Sequence, residues 1–184
     1  SHGIKNVRVL DRTFNYNPRR AKELLRLFLE FSPDICFHLE IHPALLSEEL
    51  KKELRQLPAG LLHLEAGIQS LHEPVLEKSR RIGKLSDALE GLKFLCSLSN
   101  METHADLIAG LPLYRLDEIF EDIYTLAGYR AGEIQLESLK LLPGTEMRHR
   151  ADELGIRYSP LPPYEVLQTG EISVGELQTA RRLS

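Results

Sequence analysis

Short β-like runs alternate with longer helical segments along this sequence, and that alternation limits the folds the chain can adopt. The predicted strands lie in VRVLD, ICFHLEI, LLHLEAGI, ETHADLIAG and EIQLESLKLL, and a helical segment follows each of them. Repeated β–α units join parallel strands through right-handed crossovers. The sequence therefore predicts an α/β protein with a parallel sheet, either closed into a barrel or doubly wound.

Polar residues alternate with apolar ones inside two of these strands. His38, Glu40 and His42 share one face of the second strand, and His63 and Glu65 share one face of the third. A parallel sheet that helices cover on both faces is near-continuously apolar. One polar face favours a sheet that lines a cavity, so we expect a partial (β/α) TIM-like barrel.

Capping residues predict where several helices begin. Asn17 followed by Pro18 is typical of a helix start, and Ser47 and Ser86 are further N-cap candidates. A later helix is expected over residues 145–154, with Gly155 closing it. Beyond Tyr158 the segment SPLPPYEVLQTGEIS predicts irregular structure, followed by a final amphipathic helix in SVGELQTARRL.

Composition excludes several classes of function. The 184-residue chain is 42% hydrophobic and 27% charged, which indicates a globular protein, and its net charge of −4 offers no general attraction to nucleic acid. No apolar run approaches the ~20 residues of a membrane span. The only cysteines, Cys36 and Cys96, lie in apolar stretches, which is typical of buried thiols in a cytoplasmic protein. We expect neither nucleic-acid nor membrane partners.

The polar residues of the expected barrel interior allow two interpretations, a metal site or a set of mutual hydrogen bonds. His38, Glu40, His104 and Asp106 could bind a divalent metal in a TIM-barrel lyase, and His63, Glu65 and Glu137 add to the same polar interior. Alternatively, these groups satisfy one another through hydrogen bonds around the barrel. The alternating His-x-Glu-x-His is not a zinc signature, which places two histidines one helical turn apart.

Four short sequence motifs lie at the ends of successive predicted strands, and their order along the chain identifies a protein family more specifically than any single motif does. They read Glu40-Ile41-His42-Pro43, Gly67-Ile68-Gln69-Ser70, Asp106-Leu107-Ile108-Ala109-Gly110-Leu111-Pro112 and Pro143-Gly144-Thr145. In this order they resemble the radical S-adenosylmethionine (SAM) enzymes. The group most similar to this chain contains oxygen-independent coproporphyrinogen oxidase and the cobalamin-domain proteins called anaerobic magnesium-protoporphyrin monomethyl ester cyclases.

The resemblance implies a role for each of four residues. Glu40 would contact the methionine portion of SAM, and Gln69 and Asp106 would hold the ribose hydroxyls. Arg81, twelve positions after the glutamine, would pair with the SAM carboxylate, although the adjacent Arg80 could replace it. These side chains suit those tasks chemically, because carboxylate and amide oxygens accept from hydroxyls and a guanidinium matches a carboxylate. The resemblance assigns no catalytic residue and no metal ligand in this chain.

One departure from the family pattern is an absence. The family's four-iron four-sulfur cluster is held by three cysteines, usually spaced Cys-x3-Cys-x2-Cys after the first strand, and this chain contains only two cysteines. The resemblance therefore implies a piece of a larger enzyme that lacks the cluster-bearing first strand and is itself inactive. The parent would cleave SAM to a 5′-deoxyadenosyl radical and abstract hydrogen from a small molecule, in tetrapyrrole or other cobalamin-linked metabolism, with cobalamin as a further expected cofactor.

On this reading the chain divides into three parts. Residues 1–3 are expected to be a tag or cloning remnant, residues 4–157 the partial barrel with strands two to six of the family, and residues 158–184 the proline-rich segment and final helix. Loss of a first strand would expose the edge of VRVLD, so we expect self-association there or a covering terminal segment. The alternative reading is a degenerate barrel that serves as a binding or assembly module.

Overall fold

A computed structural model describes residues 3–183; the first two residues of the expected cloning remnant lie outside the described residues. A five-stranded sheet has the order β1-β2-β3-β4-β5, and a second sheet pairs β6 with β7. The strands are β1 (Asn6–Arg8), β2 (Cys36–Ile41), β3 (Leu62–Gln69), β4 (Glu102–Ala109), β5 (Glu133–Ser138), β6 (Arg157–Tyr158) and β7 (Val166–Gln168).

Helices separate the strands of the larger sheet, as the alternating pattern predicts. They are α1 (Pro18–Leu29), α2 (Glu48–Gln56), α3 (Glu73–Lys78), α4 (Leu85–Cys96), α5 (Leu116–Ala127), α6 (Glu146–His149) and α7 (Val174–Arg181). Short 3-10 turns lie at Phe14–Tyr16 and Pro43–Leu45. Among the described residues, no helix combines the length and the apolar composition of a membrane span.

Residue alternation sets the two faces of the inner strands. In β3, Leu62, Leu64, Ala66 and Ile68 are buried, whereas the residues between them are partly exposed. β2 shows the same alternation and pairs with β3 in parallel, which places His38 beside His63 and Glu40 beside Glu65. The predicted polar face of these strands is confirmed, and the apolar face packs into the core.

Contacts divide the chain into two compact units. The first contains the described residues up to Ile68 together with Gly83–Ala105 and Tyr129–Glu133. The second contains Gln69–Ile82, Asp106–Gly128 and the described residues from 134 onward. The first unit buries Leu39, Leu54, Leu64, Leu92 and Leu95 completely. The second buries Tyr114, Ile119, Leu126 and Ala180 completely.

Most predicted helix starts are confirmed, and two expectations are wrong. The side chains of Asn17 and Ser47 accept the expected N-cap hydrogen bonds at α1 and α2. Ser86 is not a cap, since α4 begins at Leu85 after Lys84. The helix expected over residues 145–154 is only four residues long as α6, and turns follow it up to Gly155, where φ is +65°.

The region after Tyr158 is more ordered than the sequence predicts. β6 and β7 pair antiparallel, and the Val166 amide donates to the Leu139 carbonyl at 2.9 Å. The predicted final helix is confirmed as α7, where Ser173 and Glu176 form a reciprocal capping box. This segment packs within the second unit.

Candidate functional site

Gln69, the last residue of β3, adopts a backbone conformation that is rare for its type. Its φ is +74°, in the left-handed region that favours glycine. Its Oε1 atom is buried and accepts no hydrogen bond from the residues that the structure describes. A strained backbone and a buried acceptor in one residue each cost free energy and are typical of ligand sites.

Asp122 on α5 fixes the segment that follows Gln69. Its Oδ2 atom accepts hydrogen bonds from the Leu71 amide at 2.7 Å, the Ser70 hydroxyl at 3.2 Å and the Tyr114 hydroxyl at 2.5 Å. Its Oδ1 atom lies 3.1 Å from Nε2 of His72. Burial and the neighbouring Asp122 charge raise the pKa of Tyr114, so that its hydroxyl stays a donor. This network holds the backbone directly after Gln69.

Asp106 lies inside β4 and is only 7% exposed. Later residues of the same motif form the loop that follows β4. Gly110 has φ of +90°, and a Cβ atom there would lie 3.3 Å from the Val166 side chain. The residue must therefore stay small and left-handed, as expected for a glycine that forms the loop rather than contacting a ligand.

The two adjacent arginines have different environments. Arg80 is exposed and binds Glu146 at 2.6 Å. Arg81 is partly buried, and that burial lowers the pKa of its guanidinium. Of the pair, Arg81 has the desolvated position that strengthens an interaction with an anion.

Glu40 lies in the first unit, on the partly exposed face of β2. Its Oε1 atom is 3.4 Å from the guanidinium of Arg8. The turn that follows is clamped by Asn15, whose amide group exchanges two hydrogen bonds of 2.9 Å with the backbone of His42. Pro43 then begins a 3-10 turn that packs against Gly91 of α4. The Pro43 carbonyl lies so close to Gly91 that a Cβ atom on residue 91 would collide with it.

A His–Glu–His cluster lies on the polar face of the same unit. Oε2 of Glu65 is 2.7 Å from Nε2 of His38, 2.8 Å from the Arg8 guanidinium and 3.7 Å from Nε2 of His104. One potential ligand atom from each of His38, Glu65 and His104 lies within 4.8 Å of the others. Among the described residues, this is the one group with metal-ligand character that the geometry brings together.

His63 contacts this cluster through His104. Its Nε2 atom lies 2.9 Å from Nδ1 of His104. Burial, followed by the neighbouring imidazoles of His104 and His38, lowers the pKa of His63 and favours its neutral form. The expectation that interior histidines satisfy one another through hydrogen bonds is met for this pair.

The metal set expected from the sequence differs from the cluster. Glu65 joins His38 and His104, whereas Glu40 and Asp106, the other two residues of the expected set, are not among these three ligands. Glu40 contacts Arg8, and Glu137, expected in the same polar interior, is exposed beside Gln135. Arg8 and Asp122 were not anticipated. Arg8 could have been found from strand register, since it pairs with His38, but nothing in a helical pattern reveals the partners of Asp122.

The cysteines do not fit an iron–sulfur cluster. Cys36 begins β2 and Cys96 ends α4, and burial raises the pKa of both thiols, which disfavours the thiolate that binds iron. Two such positions cannot supply the three ligands that the cluster of the radical SAM enzymes requires.

Comparisons with known proteins agree with the resemblance seen in the sequence. No family model matches the chain. The heme chaperone HemW of Haemophilus influenzae is 26% identical over 127 residues, which cover 68% of this chain and 32% of that protein. The chain thus spans about a third of the length of this curated relative.

Solved structures share the fold. The radical SAM methyltransferase TsrM from Kitasatospora setae, with tryptophan substrate and a SAM analogue bound, matches with a TM-score of 0.66 and 16% identity, over 84% of this chain and 32% of that one. Its form with cobalamin and a [4Fe-4S] cluster gives 0.67 at 17% identity, over 85% and 33%. Coproporphyrinogen III oxidase (HemN) from Escherichia coli, described as a radical SAM enzyme, gives 0.52 at 16% identity, over 77% and 38%. The predicted fold class, a partial barrel of parallel strands, is confirmed.

Proposed function

We propose that this chain, which resembles the radical SAM proteins in sequence and has their partial barrel, binds S-adenosylmethionine. Gln69 and Asp106 would accept hydrogen bonds from the ribose hydroxyls, and Arg81 would pair with the carboxylate of the methionine portion. Glu40, as part of the Glu-x-x-Pro motif, would contact the methionine portion of SAM. Bound SAM would supply a sulfonium whose carbon–sulfur bonds are activated for cleavage or group transfer.

The conformation of Gln69 is the observation that carries this proposal. A left-handed glutamine at a strand end costs about 1–3 kcal/mol, and it persists only where the surroundings impose it. Its buried Oε1 atom adds the cost of an acceptor that no described residue satisfies. A ribose hydroxyl would satisfy that acceptor, and a strained backbone is typical of a residue that positions a ligand.

Replacing Gln69 by glycine separates binding from folding. Glycine readily adopts φ of +74°, so Gln69→Gly should leave the fold intact and raise the free energy of unfolding by up to about 1 kcal/mol. The same change should weaken SAM binding at least about tenfold, the equivalent of one lost hydrogen bond. Isothermal titration calorimetry with SAM and urea denaturation measure the two effects.

Gln178→Ala is the matched control, because Gln178 is an exposed glutamine on α7 in the same unit. It should change neither SAM affinity nor stability. The proposal fails if Gln69→Gly binds SAM as tightly as the unaltered protein.

Radical chemistry would need a cluster that other cysteines supply. We propose that the whole enzyme cleaves SAM reductively and acts on a small molecule, and that this chain contributes the SAM-binding part. The names of two similar proteins, a heme chaperone and coproporphyrinogen III oxidase, support a substrate in tetrapyrrole metabolism, and the cobalamin bound to TsrM supports cobalamin as a further cofactor. A degenerate barrel that serves as a binding module is the competing function, and it predicts no SAM cleavage by any longer form of the protein.

A further inference from the structure

We propose that His38, Glu65 and His104 form a binding site for a divalent transition metal ion, distinct from the SAM residues in the second unit. Two imidazoles and one carboxylate suit first-row transition ions such as Zn²⁺ better than Mg²⁺ or Ca²⁺, which prefer oxygen ligands. The proposal does not depend on SAM binding.

The backbone places the three ligands without loops. His38 lies on β2, Glu65 on β3 and His104 on β4, which are consecutive neighbours in the sheet. Side chains from paired strands hold their spacing better than side chains from loops, because the ladder of hydrogen bonds fixes the backbone. His104 is 5% exposed, and the side chains of His38 and Glu65 are 20% and 18% exposed. Ligands on a rigid, largely shielded surface lose little entropy when they bind an ion.

Their spacing is close to that of a tetrahedral site. Ligands at about 2.0–2.1 Å from a zinc ion lie about 3.4 Å apart. The observed separations from Oε2 of Glu65 are 2.7 Å to His38 and 3.7 Å to His104, and all three ligand atoms lie within 4.8 Å of one another. Shifts of about 1 Å in the ligand atoms, through side-chain rotation, would bring all three to the distance of a zinc ligand. Three protein ligands leave a fourth position for water, as in catalytic zinc sites.

His63 is the outer-shell partner of this site. A metal on Nε2 of His104 requires the proton on Nδ1, and that proton would be donated to Nε2 of His63, 2.9 Å away. Such a bond fixes the ring orientation and tautomer of a ligating histidine. Histidines that bind zinc usually carry a bond of this kind.

Arg8 is the competitor of the ion. Its guanidinium contacts the same Oε2 atom of Glu65 at 2.8 Å and Oε1 of Glu40 at 3.4 Å. A cation at the site must displace Arg8 from Glu65, and the Arg8 side chain is 56% exposed, which leaves it room to move. Removing the guanidinium should therefore strengthen metal binding.

Titration of the metal-free protein with Zn²⁺, against a chromophoric chelator, tests the site. We expect binding of one Zn²⁺ per chain. Glu65→Gln and His38→Gln should weaken binding at least about tenfold, the loss of one of three ligands. Arg8→Ala should tighten it several-fold. His149→Gln, which alters an exposed histidine outside the cluster, should bind as the unaltered protein does.

Co²⁺ in place of Zn²⁺ gives a readout of the ligands themselves. Visible absorption bands of a four-coordinate Co²⁺ site should be present in the unaltered protein and in His149→Gln, and absent in Glu65→Gln. Zn²⁺ binding that Glu65→Gln leaves unchanged, or no binding by the unaltered protein, overturns the proposal. Should His38→Gln fail to fold, Arg8→Ala decides, since unchanged affinity there contradicts a cation on Glu65.

Discussion

Asp122 shows how one buried carboxylate can determine the geometry of a neighbouring binding residue. It accepts from Leu71, Ser70 and Tyr114, all with the same oxygen atom, and its side chain is only 3% exposed. Hydrogen bonds to a charged, desolvated acceptor are stronger than neutral ones. The rigidity of the chain after Gln69 thus depends on Asp122, which belongs to none of the four sequence motifs.

Asp122→Asn should destabilise the protein by about 1–3 kcal/mol, because a neutral amide oxygen accepts the three hydrogen bonds more weakly than a charged carboxylate oxygen does. The amide also places its NH₂ group where Oδ1 now lies 3.1 Å from Nε2 of His72. SAM binding should weaken as well, since the backbone beside Gln69 loses its anchor. Urea denaturation and calorimetry measure the two changes.

Asp117→Asn is the control on the same helix. The Asp117 side chain is 60% exposed and pairs with Arg115 at the surface, so its loss should cost less than about 0.5 kcal/mol. Equal effects of the two substitutions would contradict a special role for Asp122.

Among the helices and turns, contact between α4 and the Pro43–Leu45 turn positions the Glu-x-x-Pro motif. Gly91 on α4 faces the Pro43 carbonyl so closely that any Cβ atom would collide with it. Backbone against backbone cannot adjust by a rotamer change, so a larger residue must displace the helix or the turn.

Gly91→Ala should therefore lower the free energy of unfolding by about 1–3 kcal/mol, despite the better helix propensity of alanine. Gly175→Ala on α7 is the matched control, because a Cβ there would meet no atom of the described residues within 4 Å, apart from its chain neighbours and the backbone of its own helix. It should be neutral or stabilise by up to about 1 kcal/mol. Thermal unfolding of both variants decides, and a stable Gly91→Ala protein would show that the turn moves freely.

Elements with a strong local signal could be predicted from the sequence. Alternation in ICFHLEI and LLHLEAGI gave β2 and β3, and Asn17 and Ser47 gave the starts of α1 and α2. Ser86 failed as a cap because its hydroxyl bonds the Asp87 side chain inside the first turn instead of capping it. β6 and β7 have two and three residues, too few for any periodicity, and depend on pairing with each other.

The candidate sites were predictable where residues share a strand and not where they meet across long separations. His38 and Glu65 were expected on polar strand faces, but their shared use of one oxygen depends on sheet register. Ser70 and Asp122 are separated by 52 positions, and no local pattern relates them.

For the whole molecule, we expect SAM binding without an iron–sulfur cluster. Anaerobic reconstitution with iron and sulfide should give no four-iron cluster on this chain, because Cys36 and Cys96 offer two thiols with raised pKa values where three thiolates are needed. Iron and sulfide analysis with electron paramagnetic resonance measures the outcome. A stoichiometric four-iron cluster on residues 1–184 would contradict the account of the cysteines.

Self-association through β1 stays a prediction at the same scale. β1 is an edge strand of the larger sheet, and edge strands offer unpaired backbone groups to another chain. Light scattering across a range of protein concentrations distinguishes a monomer from an associating species.

A crystal structure with bound S-adenosylhomocysteine, a stable analogue of SAM, would show whether Gln69 and Asp106 bind the ribose. We expect the ribose hydroxyls within hydrogen-bond distance of Oε1 of Gln69 and of the Asp106 carboxylate. An analogue bound without contact to either residue, or no complex at saturating concentration, would contradict this expectation.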